Sequence, residues 1–186
     1  MKHGLVAALF LGLTVASTAA MTGCCGGKKG GTAVLGTTGE LVTIANAGLK
    51  FNIPGGWFAQ PAGDWKLYKT PDNAARLGFV TFDKPNESTR RIGEISTALG
   101  LVISGGDWRP TNDKAIGPHQ LRLSTSGETP AGSCKTAKTN EDCYTWYATV
   151  DSGRSTQLLI VYAVTNSSKA KHLPNVQAAV QSLSKM

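Results

Sequence analysis

The stretch CYTWYATVDSGRSTQLLIVYAV, residues 143–164, decides the fold of this chain. It contains two strand candidates, residues 143–150 and 156–164, in which β-branched and aromatic residues predominate. Between them, residues 151–154 carry the polar side chains and the glycine that are typical of a hairpin turn. Because the second strand is almost entirely apolar, we expect it at the centre of a sheet with both of its faces covered.

Shorter strand candidates precede this hairpin. Alternation of apolar and polar residues predicts strands over residues 41–44, 49–53 and 120–124, and residues 65–69 and 77–82 are further strand candidates. Turn-forming residues such as glycine, proline and asparagine separate them.

Two helices complete the predicted pattern. The mid-chain helix is predicted over residues 87–99, with Asn86 as its N-cap. Near the C-terminus, Ser167 or Ser168 is predicted to cap a first turn, and Pro174 to begin the main helix. Strands, a helix, strands and a helix follow one another, so we predict an α+β sandwich in which helices pack on an antiparallel sheet.

The N-terminus has the pattern of an export signal. A short basic start precedes an apolar run, residues 5–16, which is shorter than the roughly 20 residues that a membrane-spanning helix needs. The tetrad Met21-Thr22-Gly23-Cys24 resembles the bacterial lipobox, in which the cysteine receives a diacylglycerol on its sulfur. The alternative is ordinary secretion, with cleavage after Ala20.

This pattern predicts a domain organisation and a location. We expect a lipoprotein signal peptide over residues 1–23, a Gly-rich flexible tether over 24–39 and a single globular domain over 40–186. The membrane partner would be reached through acyl chains on Cys24, at the bacterial cell envelope. The residue after Cys24 is not Asp, which favours the outer membrane, facing the periplasm. The net charge of +7 is dispersed along an exported chain, so we expect no nucleic-acid partner.

After Cys24 and the adjacent Cys25, the remaining pair of cysteines is Cys134 and Cys143, which suits the same compartment. An even pair in an oxidising environment predicts a disulfide, here around a polar hairpin tip. In the chain-entropy model a loop of about ten residues is worth ~2.7 kcal/mol. A metal site is the alternative, but the spacing does not fit a zinc knuckle and no histidine lies nearby.

One segment carries a resemblance to a known family. The residues GLKFNIPGGW, 48–57, resemble the opening of the PsbP-like superfamily, to which the DcrB-like envelope lipoproteins also belong. The later order of helix, hairpin strands and C-terminal helix is similar, so the resemblance covers residues 40–186. It implies an α/β/α sandwich around a central antiparallel sheet. It also implies non-catalytic accessory, scaffold or chaperone work on other proteins, and no family binding residue is carried over to this chain.

Few side chains suggest chemistry. Trp57 is expected to pack over a sheet edge, with ligand stacking as the alternative. Trp108, in a Gly-rich loop, is expected to cover the core, with a carbohydrate-like site as the alternative. Of the histidines that follow the leader, His119 and His172 are both predicted at the surface, without a spaced second metal ligand.

These patterns favour a binding protein over an enzyme. The chain has no Gly-x-Ser-x-Gly elbow, phosphate loop or dinucleotide fingerprint, so we expect no catalytic residue, cofactor or metal. We predict a lipid-anchored envelope protein that binds a protein or an envelope component. One alternative is an envelope hydrolase built around His119 with Ser124 or Asp113. Another is a chaperone-like protein that shields apolar segments and exposes an apolar patch of its own.

Overall fold

The structure is a computed structural model that describes residues 39–83, 86–104 and 108–186. The predicted leader, Cys24 and all of the predicted tether except its last residue lie outside these residues. The elements in chain order are β1 (Glu40–Ile44), β2 (Leu49–Ile53), β3 (Phe58–Ala62), β4 (Trp65–Lys69), β5 (Ala75–Phe82), α1 (Glu87–Gly93), α2 (Ile95–Leu99), β6 (Leu101–Ile103), β7 (Arg109–Pro110), β8 (Ala115–Ile116), β9 (Leu121–Glu128), β10 (Cys134–Thr136), β11 (Cys143–Val150), β12 (Gln157–Thr165), α3 (Lys169–Gln181) and β13 (Ser184–Lys185).

Among the described residues, eight strands form the main sheet. Its order is β3-β4-β5-β12-β11-β9-β7, with β8 paired to β9 beside this path, and every pairing is antiparallel. Strand β12 lies between β5 and β11, and both its faces are buried. Leu158 and Ile160 face one core, and Leu159 and Val161 face the other. The predicted central position of this apolar strand is therefore confirmed.

Helices cover both faces of the main sheet, as the α/β/α prediction requires. On one face, Ile95 and Leu99 of α2 belong to the same core as the β12 side chains that point to that face. On the opposite face, Val176 and Val180 of α3 belong to the other core. That second layer also contains a small sheet of order β1-β2-β13, whose Phe51 is completely buried beside α3. The central antiparallel sheet, the mid-chain helical region and the C-terminal helix are confirmed.

The helix ends differ from those predicted. The mid-chain helix is interrupted at Glu94, which separates α1 from α2, and the side chain of Asn86 makes no capping hydrogen bond. Helix α3 begins at Lys169, so Pro174 lies inside it and does not begin it. The side chain of Ser168 makes no capping bond either. A buried face extends from the first turn of α3 to its last, and its packing outweighs the proline.

The sequence pattern did not predict several short strands. Strand β3 is almost wholly exposed and contains Pro61, and it exists because β4 pairs with it at the sheet edge. Strands β6 and β10 pair with each other over three residues. In the described part of the chain, no helix has the length and hydrophobicity needed to cross a membrane.

The structure places the sulfurs of Cys134 and Cys143 at disulfide-bonding distance. Their Cα atoms lie 5.1 Å apart, and both residues are buried in the core on the α2 side of the main sheet. Between them the chain forms the predicted hairpin tip, which is closed by an antiparallel backbone β-bridge between Lys135 and Asp142. The bond therefore ties this hairpin to strand β11 of the main sheet.

Candidate functional site

A cavity of about 620 Å³ opens between residues 110–113, the main sheet and helix α3. We call it the aromatic pocket, because three aromatic side chains share its walls with carboxylates and amides. Its lining includes two carboxylates, three aromatic rings and an amide, namely Asp113, Glu128, Tyr144, Trp146, Tyr162 and Gln177.

Strand register brings the floor of the aromatic pocket together. Glu128 of β9 is opposite Trp146 of β11, and Trp146 is opposite Tyr162 of β12. Residues directly opposite on neighbouring strands project from the same face, so these three side chains form a row across the sheet. The Trp146 and Tyr162 rings stack with centroids 5.3 Å apart. Tyr144, two residues before Trp146, lies on the same face with its ring 6.1 Å from that of Tyr162.

Hydrogen bonds hold both carboxylates in place. Oδ2 of Asp113 accepts from Oγ1 of Thr111 at 2.8 Å and from Nε1 of Trp146 at 3.0 Å. Oε2 of Glu128 accepts from the Tyr144 hydroxyl at 2.7 Å. Within residues 39–83, 86–104 and 108–186, neither carboxylate lies within 4.0 Å of a lysine, arginine or histidine nitrogen. The pocket thus carries two oriented negative charges.

The tyrosines of the pocket act as neutral groups. Burial is the main cause that raises the pKa of Tyr162 to about 12. Burial also raises the pKa of Tyr144 far above its usual range, and Tyr162 and the hydrogen bond to Glu128 add to the effect. Because both phenols keep their protons at neutral pH, Tyr144 remains a donor to Glu128. Nζ of Lys169, which lines a neighbouring cavity, lies 4.4 Å from the centroid of the Tyr144 ring.

The two tryptophans that the sequence singled out lie elsewhere. Trp57 is half-buried against the core on the α3 side and lines a separate cavity of about 240 Å³ together with His172. Trp108 is half-buried, and its ring meets that of Tyr147 edge to face at a centroid distance of 4.8 Å. Neither tryptophan lines the aromatic pocket.

The surface position predicted for His172 is wrong. It is only 7% exposed, and its Nε2 lies 3.0 Å from Oδ2 of Asp72. His172 is one turn before Val176, so it shares the buried face of α3, and Asp72 supplies the polar partner that a buried imidazole needs. The hydrogen bond from Thr70, followed by those from His172, a backbone amide and Lys171, holds the pKa of Asp72 well below its usual range.

His119 is exposed in the turn before β9, as predicted. Among the described hydrogen bonds none joins it to Ser124 or Asp113, and Asp113 instead accepts from Trp146. The described residues also contain no group of three or more His, Cys, Asp or Glu placed to hold a metal ion.

No sequence pattern predicted the aromatic pocket. One signal was available, because Tyr144 and Trp146 alternate in a predicted strand and must share a face. Asp113, Glu128 and Gln177 come from three other parts of the chain, and only the folded register brings them to those aromatic rings.

Comparison with known proteins finds similar structures. No protein-family model and no curated protein matches the chain. Its structural neighbours include cyanobacterial PsbP (CyanoP) from Synechocystis sp. PCC 6803, with 11% identity and a TM-score of 0.48 over 86% of this chain and 98% of that one. They also include the Ran-binding protein Mog1p of Saccharomyces cerevisiae, with 10% identity and a TM-score of 0.44 over 80% and 96%.

A third neighbour is a protein from Bacteroides thetaiotaomicron, with 13% identity and a TM-score of 0.47. The match covers 81% of this chain, which spans about half the length of that protein. The strands and helices of this chain themselves establish its α+β class.

Proposed function

We propose that this chain is a lipid-anchored binding protein of the bacterial cell envelope, without a catalytic role of its own. The observation that carries the proposal is the aromatic pocket, in which ring surfaces and oriented acceptors line a cavity of a size that takes a small group of a ligand. A protein partner or an envelope component would present that group.

The hydrogen bonding of the aromatic pocket suits binding. Asp113 and Glu128 are oriented by donors from their own chain, so little side-chain freedom is lost when a ligand arrives. The raised pKa values of Tyr144 and Tyr162 keep both hydroxyls protonated, and a protonated phenol is a weak nucleophile and a weak base. These groups offer recognition and little reactivity.

The disulfide supports the proposed location. A buried bond between Cys134 and Cys143 persists in oxidising compartments, of which the periplasm is one. The apolar leader and the lipobox-like tetrad ending at Cys24 predict export to the same place. Anchoring at Cys24 would leave the domain close to the bilayer, within reach of other envelope proteins.

Metabolic labelling tests the anchor. Cells expressing the full chain are fed a clickable palmitate, and wild type is compared with Cys24→Ala and with Cys25→Ala as the matched control. We expect the label and the membrane association in wild type and Cys25→Ala, and neither in Cys24→Ala. Label retained in Cys24→Ala, or a wild-type chain that is unlabelled, would contradict the anchor.

Site-specific photo-crosslinking tests the binding role. A photoreactive amino acid replaces exposed Gln177 at the pocket, and the control replaces exposed Lys138 at the hairpin tip. We expect a discrete crosslinked product in intact cells for position 177 and none for position 138. The same products at both positions, or none at either, would contradict the proposal. So would a hydrolytic activity of the purified domain that His119→Ala abolishes.

A further inference from the structure

We propose that the aromatic pocket binds an organic cation, an ammonium or guanidinium group that its ligand presents. This inference rests on the proposed binding function and adds the chemical class of the group that is bound.

The charge of the pocket is opposite to that of the chain. Lysines and arginines outnumber acidic residues by 19 to 12, yet the charged residues that line the pocket are Asp113 and Glu128. Each uses one carboxylate oxygen in the hydrogen bonds described above. Among the described residues no lysine or arginine forms an ion pair with either one. A bound cation would supply the missing positive charge.

The rings favour the same ligand class. A cation within about 6 Å of an aromatic centroid is attracted by the negative ring face. The chain already contains such a contact next to the pocket, where Nζ of Lys169, which lines a neighbouring cavity, lies over the Tyr144 ring. Tyr144 is half-buried, so part of its surface stays accessible beside Glu128. The stacked rings of Trp146 and Tyr162 form the floor below it.

Other ligand classes fit less well. An anion would be repelled by both carboxylates, and an apolar group would strip water from them without replacing its hydrogen bonds. Arg109 is opposite Glu128 in the sheet, but no ion pair joins these two described residues. A neutral polyol could donate hydrogen bonds to the same carboxylates, and it is therefore included in the test.

The indole N–H of Trp146 provides the readout, because it donates to Asp113 inside the pocket. The ¹⁵N-labelled domain with its disulfide intact is titrated with Nα-acetyl-lysine amide and Nα-acetyl-arginine amide, whose side chains keep their positive charge. Nα-acetyl-norleucine amide is the uncharged analogue, and glucose is the polyol. We expect a saturable shift of the Trp146 indole signal with the two cations only, and an affinity that weakens as salt is added.

Variants connect the shift to the carboxylates. Asp113→Asn and Glu128→Gln keep the side-chain shapes, and each should weaken cation binding at least tenfold. Asp142→Asn, at the exposed hairpin tip, should leave it unchanged. Dispersed amide spectra establish that each variant is folded. A shift as large with norleucine or glucose, no saturable shift with either cation, or variants that bind as wild type does would overturn the proposal.

Two further arms separate the sources of the cation. Tighter binding of a lysine-containing peptide than of spermidine identifies a protein side chain, and the reverse identifies a free polyamine. If position 177 still crosslinks in cells while the cation titrations fail, the binding function stands and the cation assignment falls. If the crosslinks fail as well, both fall.

Discussion

Nε1 of Trp146 donates a 3.0 Å hydrogen bond to Oδ2 of Asp113, and this bond ties the loop between β7 and β8 to the centre of the main sheet. Trp146 is buried, so its N–H depends on that acceptor. We expect Asp113→Ala to lower the free energy of unfolding by about 1–3 kcal/mol, the cost of leaving a buried donor without its acceptor. Urea denaturation measures it, and Asn112→Ala in the same loop is the control. Equal stability of the two variants would contradict the role given to this bond.

The contact between Asp72 and His172 predicts a dependence of stability on pH. The folded pKa of Asp72 is lowered by Thr70 first and by His172, a backbone amide and Lys171 after it, so the unfolded chain takes up the proton first. The stabilisation is therefore present above about pH 4, the usual carboxyl pKa, and decreases as the pH falls toward the folded pKa. We expect the stability gap between wild type and Asp72→Asn to be larger at pH 7 than at pH 2.5.

Urea denaturation at the two pH values measures that gap. Thr70→Val removes the hydrogen bond that contributes most to the lowered pKa, and the gap measured in that background should depend less on pH. A gap that is the same at pH 7 and at pH 2.5 in the wild-type background would show that Asp72 does not carry this linkage.

Gly127 is required by a close approach to Tyr147. A Cβ at Gly127 would lie 2.7 Å from a ring carbon of Tyr147, which is itself buried and in contact with Trp108. We expect Gly127→Ala to cost about 1–3 kcal/mol, because the buried ring or the strand must shift to admit the methyl group. Gly93→Ala is the control, since a Cβ there meets nothing within 4 Å. Thermal unfolding should show a lower midpoint only for Gly127→Ala, and equal midpoints would refute the steric account.

The disulfide should contribute about 2–3 kcal/mol, as expected for a short loop in the chain-entropy model. We expect the variant Cys134→Ala/Cys143→Ala to unfold at lower urea than oxidised wild type. Reductant should bring wild type close to that variant and leave the variant unchanged. Alkylation of the non-reduced protein offers a second check, because two blocked thiols at these positions would mean that the bond is absent.

The main strands could be predicted because burial on both faces leaves a pattern in the sequence. Strand β12 has an almost unbroken apolar run, and strand β2 alternates strictly, so both were located to within a residue or two. Strand β3 lacks such a pattern because its side chains face solvent. Its existence depends on the backbone hydrogen bonds of β4, which no local pattern reveals.

Helix α3 illustrates how packing outweighs local preference. Pro174 is typical of a helix start, but here it lies in the sixth position of a thirteen-residue helix. The same packing buries His172, whose position four residues before Val176 was a usable signal. The sequence contains no comparable sign of Asp72 as its partner, because 100 residues separate the two.

By itself, the sequence determined the α+β class, the central position of β12, the pairing of Cys134 with Cys143 and the expectation of an exported, anchored chain. Periodicity and local composition carry that information, because they record which faces of an element meet water and which residues precede a cleavage site. The tertiary structure alone decided the buried pairing of His172 and the aromatic pocket. Glu128, Trp146 and Tyr162 belong to three strands that only antiparallel register aligns, and register is a property of the whole sheet.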